Sequence, residues 1–177
     1  ITYFFCTSTN SWSMIEIDIT EGNREPLPLA ITEFFYNDDE KNVLEEISSN
    51  MRTVISADLE RRGLFKSINQ EAFIQENESM HLRPRFEDWR LIKAQGLITG
   101  DLSLEGEKLK VEFRLWDTLA EKEIEALVLI TTQENWRRVS HMIADKIYER
   151  LTGEEGYFDT RIVYVSEEGP KNKRVKK

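Results

Sequence analysis

Residues 15–34 read IEIDITEGNREPLPLAITEF. The first part alternates: Ile15, Ile17 and Ile19 are apolar, and Glu16, Asp18 and Thr20 are polar. A period of two suits a strand with one buried face. Gly22-Asn23 interrupts it. From Leu27 to Phe34, around Pro28, the chain is almost wholly apolar. An apolar run of this length predicts a strand covered on both faces, as in a parallel or mixed sheet with helices on either side. An acidic, amphipathic ribbon is thus joined by a turn to a core strand. The ribbon is either one more strand of that sheet or a separable arm that pairs with another protein's sheet edge. The pattern alone leaves both open.

Outward from the core strand, Asn37-Asp38-Asp39 offers helix-capping side chains. Val43, Leu44, Ile47, Met51, Val54, Ile55, Asp58 and Leu59 then recur at spacings of three or four, which predicts an amphipathic helix of about five turns. Arg61-Arg62-Gly63 should end it, and Leu64-Phe65 returns to the core. Residues 67–84 are mostly polar, with one helical turn expected near 71–75. A short helix is expected over 86–95, with Phe86, Trp89 and Ile92 or Lys93 on one face and Gly96 as its stop.

Three strands follow. The first covers 97–104, and Glu105-Gly106-Glu107 forms a hairpin turn. The second covers 109–117, with Leu109, Val111, Phe113 and Leu115 on one face and Lys110, Glu112, Arg114 and Trp116 on the other. The third covers 124–132. This antiparallel meander needs at least one covered face. A last helix runs from about Gln133 to Leu151, with Trp136, Val139, Ile143, Ile147 and Leu151 as its apolar stripe and Gly153 as its stop. Trp136 and Phe113 are the positions where truncation should cost most. The expected fold is one α/β layer domain: a mixed sheet of four or five strands packed by two long helices and one short one.

The chain has 177 residues, enough for one domain with a real core. Its formal net charge is −9, yet five of its 24 cations lie in the last seven residues, so residues 1–170 carry 19 cations against 33 acids. Such an acidic body disfavours non-specific nucleic-acid binding and suits a basic protein partner. A single cysteine, Cys6, excludes an internal disulfide. No run of 18 apolar residues occurs, so no membrane-spanning helix is expected. The opening ITYFFCTSTNSWSM has an apolar start and small residues at Ser11 and Ser13. It reads as the tail of a secretory signal peptide cleaved between Ser13 and Met14.

Motifs for chemistry are scarce. His81 and His141 are the only histidines, and neither has a second ligand at metal-binding spacing, so both read as structural or surface residues. Gly96 and Gly100 lack the lysine and the strand-to-helix setting of a phosphate loop. Glu45-Glu46, Glu87-Asp88 and Glu154-Glu155 are adjacent acids, which point apart on a helix and read as solvated faces. No catalytic residue, cofactor or metal is assigned. Trp116, on the outward strand face beside Arg114, is either covered by a helix or part of a contact patch. The basic KNKRVKK at 171–177 resembles a nucleic-acid patch in composition, but five charges do not outweigh an acidic body.

EGNREPLPLAI at 21–31 resembles the start of the mature TolB family of the Tol-Pal envelope system. Collinear matches follow in DLERRGLFKSINQEAFI at 58–74, RFEDWRLIKAQGLITG at 85–100, LKVEFRLWD at 109–117 and ENWRRVSHMIADKIYERLTGEEGYFDTRIVYVSEEGPKNKRVKK at 134–177. The resemblance is to alphaproteobacterial members and covers most of the chain from residue 15.

It implies a periplasmic, non-enzymatic interaction module that supports outer-membrane integrity and constriction during cell division. It implies a signal-peptide remnant over 1–13, an interaction arm over 14–20, the TolB N-terminal α/β domain over 21–153, and over 154–177 a linker and first strand of a β-propeller. The family's partner for this part is the C-terminal domain of TolA, contacted through Ile15, Glu16, Ile17, Asp18, Ile19 and Thr20. Pal would be contacted only through the missing propeller. The clean strand RIVYVS at 161–166 and a turn at 167–170 would then be extended and mobile, or would pair with something foreign. A monomer is expected. The competing reading is an anticodon-binding-like nucleic-acid or nucleotide-binding α/β module, which would need clustered cations. Arg61-Arg62 and Arg137-Arg138 are the only such pairs in residues 1–170.

Overall fold

The structure is a computed structural model that describes residues 25–75 and 83–160, together with the backbone of 167–168 and 175–176. The expected ribbon at 15–20, the signal-peptide remnant, His81 and the strand at 161–166 lie outside the described residues.

The core strand is present as β1 (Leu27–Ile31). It lies between β2 (Phe65–Ser67) and β3 (Gly96–Glu105), parallel to both. The meander of β3, β4 (Lys108–Asp117) and β5 (Lys122–Thr132) completes a five-stranded mixed sheet in the order β2-β1-β3-β4-β5. Three helices flank it: α1 (Lys41–Glu60), α2 (Phe86–Leu91) and α3 (Trp136–Thr152).

Alternate residues of the inner strands feed two separate cores, which explains the unbroken apolar run. Leu29 and Ile31 pack with Leu44, Met51 and Ile55 of α1 and with Ile143 and Ile147 of α3. Ala30 packs on the opposite face with Phe86 and Trp89 of α2 and with Leu97 and Trp116. The same division separates Ile98 from Leu97 and Leu115 from Trp116. Each large side chain so buried contributes about 1.5–3 kcal/mol.

Pro28 sits in an inner strand yet breaks no ladder. Its carbonyl accepts from Gln95 N–H at 3.0 Å, and the β1–β3 register begins only at Leu29 opposite Gly96. A residue's N–H and C=O point to the same side of a strand, so the missing donor falls where no ladder partner is needed.

Several local expectations change. A 3₁₀ turn, Asp38–Glu40, precedes α1, and no side chain caps it. These acids still sit at the positive end of the helix dipole. Val43 is exposed, whereas Asp58 is buried within the apolar stripe. β2 is a strand, not just a return to the core. The helix expected over 86–95 stops at Leu91, and Lys93 takes the left-handed φ of 62° that ends the segment. Gly96 is therefore no stop; it opens β3, where a Cβ would lie 2.6 Å from Leu29 Cδ2. Trp136 is only half-buried, while Phe113 is fully buried. Glu167–Glu168, expected in a turn, pairs antiparallel with Val175–Lys176.

Candidate interaction surface

The six arm residues, Ile15, Glu16, Ile17, Asp18, Ile19 and Thr20, lie outside the described residues, but the root of the arm is fixed. Leu27 N–H donates to Leu64 O at 2.8 Å, and Ile68 N–H donates to Leu29 O at 2.8 Å. The chain therefore enters the sheet between β2 and β3, beside the turn that follows α1.

Three of the four arginines in the pairs that a nucleic-acid face would use are engaged within the domain. Arg61 Nη2 meets Asp58 Oδ1 at 3.3 Å. The Arg62 guanidinium lies 4.2 Å from the centre of the Tyr157 ring. Arg138 Nε bonds Asp159 Oδ2 at 3.1 Å. Trp116 is likewise occupied: its Nε1–H donates to Thr99 Oγ1 at 3.0 Å, and its ring meets Phe86 edge-on. Of the two readings of Trp116, cover by a helix is the one observed.

His141 has a structural partner. Its Nδ1 lies 2.5 Å from Asp58 Oδ2, joining α3 to α1 across 83 positions of sequence. Nearby, residues 154–159 fold back along α3. The Asp145 carboxylate accepts from the N–H groups of Phe158 (2.6 Å) and Asp159 (3.0 Å). Tyr157 and Phe158 stack edge-on against Tyr148. Burial pushes the Tyr148 phenol up; Arg62 opposes this, and the Glu154 carboxylate adds to it. This clasp and this strap were invisible to a reading of local pattern.

At the carboxyl end of β1, Glu33, Phe34, Phe35, Tyr36, Asn37, Asp38 and Lys41 line an open cleft of about 460 Å³. The Tyr36 phenol is raised by burial first, and then by Glu45, Glu33 and Asp38. Among the described residues, no group of three or more His, Cys, Asp or Glu could hold a metal ion, and no helix is long and apolar enough to cross a membrane. Gly96 and Gly100 serve packing: a Cβ at Gly100 would lie 2.2 Å from the Phe34 ring and 2.6 Å from Glu112 O.

The fold thus defines a small α/β domain in which a parallel core is extended by an antiparallel meander. The sequence model described as the TolB amino-terminal domain matches residues 15–124. The Tol-Pal system protein TolB of Pelagibacter ubique (strain HTCC1062) is 51% identical over 180 residues, spanning 98% of this chain and 40% of that protein. The crystal structure of TolB from Acinetobacter baumannii shares the fold, with a TM-score of 0.65 and 22% identity over 86% of this chain and 35% of that one. The chain belongs to the TolB amino-terminal domain family. It spans less than half the length of either relative.

Proposed function

We propose that this chain is a periplasmic protein-interaction module of the Tol-Pal envelope system, not an enzyme. Its arm contacts the TolA C-terminal domain, in support of outer-membrane integrity and constriction at division. The observation that carries the reading is the family match over 15–124, which takes in residues 15–20. It also takes in the sheet as far as the start of β5. The arm's alternation suits strand addition: its main chain pairs with a sheet edge while Ile15, Ile17 and Ile19 enter pockets. Glu16 and Asp18 then supply charge complementarity to a basic partner. Burying even one of these isoleucines is worth roughly 1.5 kcal/mol, about tenfold in affinity.

The test is an NMR titration of the chain with the TolA C-terminal domain, alongside a variant lacking residues 14–20. Binding by the intact chain and loss in the deletion support the arm as the site. Equal binding by both moves the contact to the domain body. Binding by neither removes TolA as the partner.

A further inference from the structure

The strap after α3 is fastened by one row of side chains. Arg138, His141, Asp145 and Tyr148 recur at spacings of three, four and three, so they share one face of the helix. His141 makes the clasp to Asp58. The other three hold the strap, which runs back along α3 from Gly153. The Tyr148 hydroxyl donates to Glu154 Oε2 at 3.3 Å, and its ring meets those of Tyr157 and Phe158. The Asp145 carboxylate takes the two successive N–H groups of Phe158 and Asp159, and Arg138 takes the Asp159 carboxylate. From the end of α1, Arg62 lies over the Tyr157 ring. Gly156 permits the close approach: a Cβ there would lie 2.5 Å from the Asp145 Cα.

Three features set the strap apart from the body of the domain. α3 is already closed before it, because Gly153 takes a φ of 73° and its N–H reaches Glu149 O at 2.8 Å. Among the described residues, no main-chain to main-chain hydrogen bond ties 154–159 to another element. The ion pair at its far end is open to water, with the Arg138 and Asp159 side chains 60% and 29% exposed, so it holds only weakly. Phe158, 7% exposed, is the buried anchor.

We propose that residues 154–160 are a detachable strap that sets the length of the tether leaving the domain. Its fastener is the segment Tyr157-Phe158-Asp159, and its receptor is the groove between α1 and α3. Docked, the chain leaves the domain at residue 160, beside the first turn of α3. Released, it leaves at Gly153, at the other end of that helix, and whatever follows gains the reach of residues 154–160, about 23 Å when extended. The short link through Glu154, Glu155 and Gly156 keeps the segment at a local concentration on the order of millimolar. A contact too weak to hold between separate molecules therefore stays closed within one. The groove selects a chemistry: two adjacent aromatic rings followed by a carboxylate, on a main chain whose N–H groups face Asp145. A free peptide of that chemistry should enter the groove when the strap is out.

The first measurement is hydrogen exchange of the unaltered 177-residue chain in low urea. The Phe158 and Asp159 amides should exchange at least about 100-fold faster than those of Ile143 and Ile147, at rates that urea barely changes, as in a local opening that exposes little surface. Protection equal to that of α3, with the same urea dependence, overturns the proposal, because the strap would then open only with the whole domain. The second measurement adds the capped peptide acetyl-GYFDT-amide to a chain carrying Tyr157→Ser and Phe158→Ser, followed by NMR. The resonances of Arg62, Asp145 and Tyr148 should shift and saturate in the millimolar range, at least about tenfold below the concentration needed with the unaltered chain. Asp145→Ala in the same background should remove saturation. Circular dichroism reports whether the serine variant keeps its helices; if it does not, the exchange rates of the unaltered chain decide alone. A peptide that shifts nothing in the folded variant, or that binds the unaltered chain equally well, overturns the proposal.

Discussion

Replacing His141 by alanine tests whether α1 and α3 are held by a buried polar clasp or by apolar contact alone. The Asp58 side chain is 3% exposed and has two partners: His141 Nδ1 at 2.5 Å and Arg61 Nη2 at 3.3 Å. The Arg61 side chain is 63% exposed, so water screens that pair and it is worth at most about 1 kcal/mol. His141 is largely shielded, and a hydrogen bond to a charged acceptor contributes about 1.5–3 kcal/mol. Removing one partner of a buried ion pair can cost about 3–5 kcal/mol when nothing else meets the remaining charge. Here Arg61 remains, so the lower range applies. His141→Ala should cost about 2 kcal/mol, which lowers the melting temperature by roughly 4–8 °C for a chain of this size. The decisive assay is a double-mutant cycle of Asp58→Ala and His141→Ala by urea denaturation. The coupling should be at least about 1.5 kcal/mol; single-variant losses that add to within about 0.5 kcal/mol would refute the clasp.

Three further outcomes follow from packing. Gly100→Ala should destabilise by about 2–3 kcal/mol, because one of the atoms its Cβ would strike is the backbone oxygen of Glu112, which cannot swing aside; urea denaturation reads it. Phe113→Ala should cost about 3–5 kcal/mol, and Trp136→Ala clearly less, since Trp136 is half-exposed; the two melting temperatures decide the order. Gly156→Ala would place a Cβ 2.4 Å from the Asp145 carboxylate, so the strap should lift and the amides of Phe158 and Asp159 should lose exchange protection while those of α3 keep theirs.

Elements with a repeating local signal were legible in the sequence. α1 and α3 carry long apolar stripes, and the meander carries alternation punctuated by Gly106, whose φ of 66° suits the two-residue turn between Glu105 and Lys108. The missed features have no local signal. β2 is three residues long, too short for alternation to declare itself. Gly96 looked like a helix stop because glycine often is one, but the reason for glycine there is the Leu29 side chain, 67 positions away. Asp58 fell into the apolar stripe by spacing and could be recognised as a buried charge only beside His141.

The candidate site was legible in a different sense. Alternation in residues 15–20 says that one face of the arm seeks cover, but pattern carries no information about whose surface provides it. The same limit applies at β5. ALVLITT at 126–132 reads equally well as a covered strand or an open edge; only the strand order β2-β1-β3-β4-β5 puts it at the margin. That position is what a local pattern cannot carry, because the same residues are ordinary in an inner strand and unprotected at an edge.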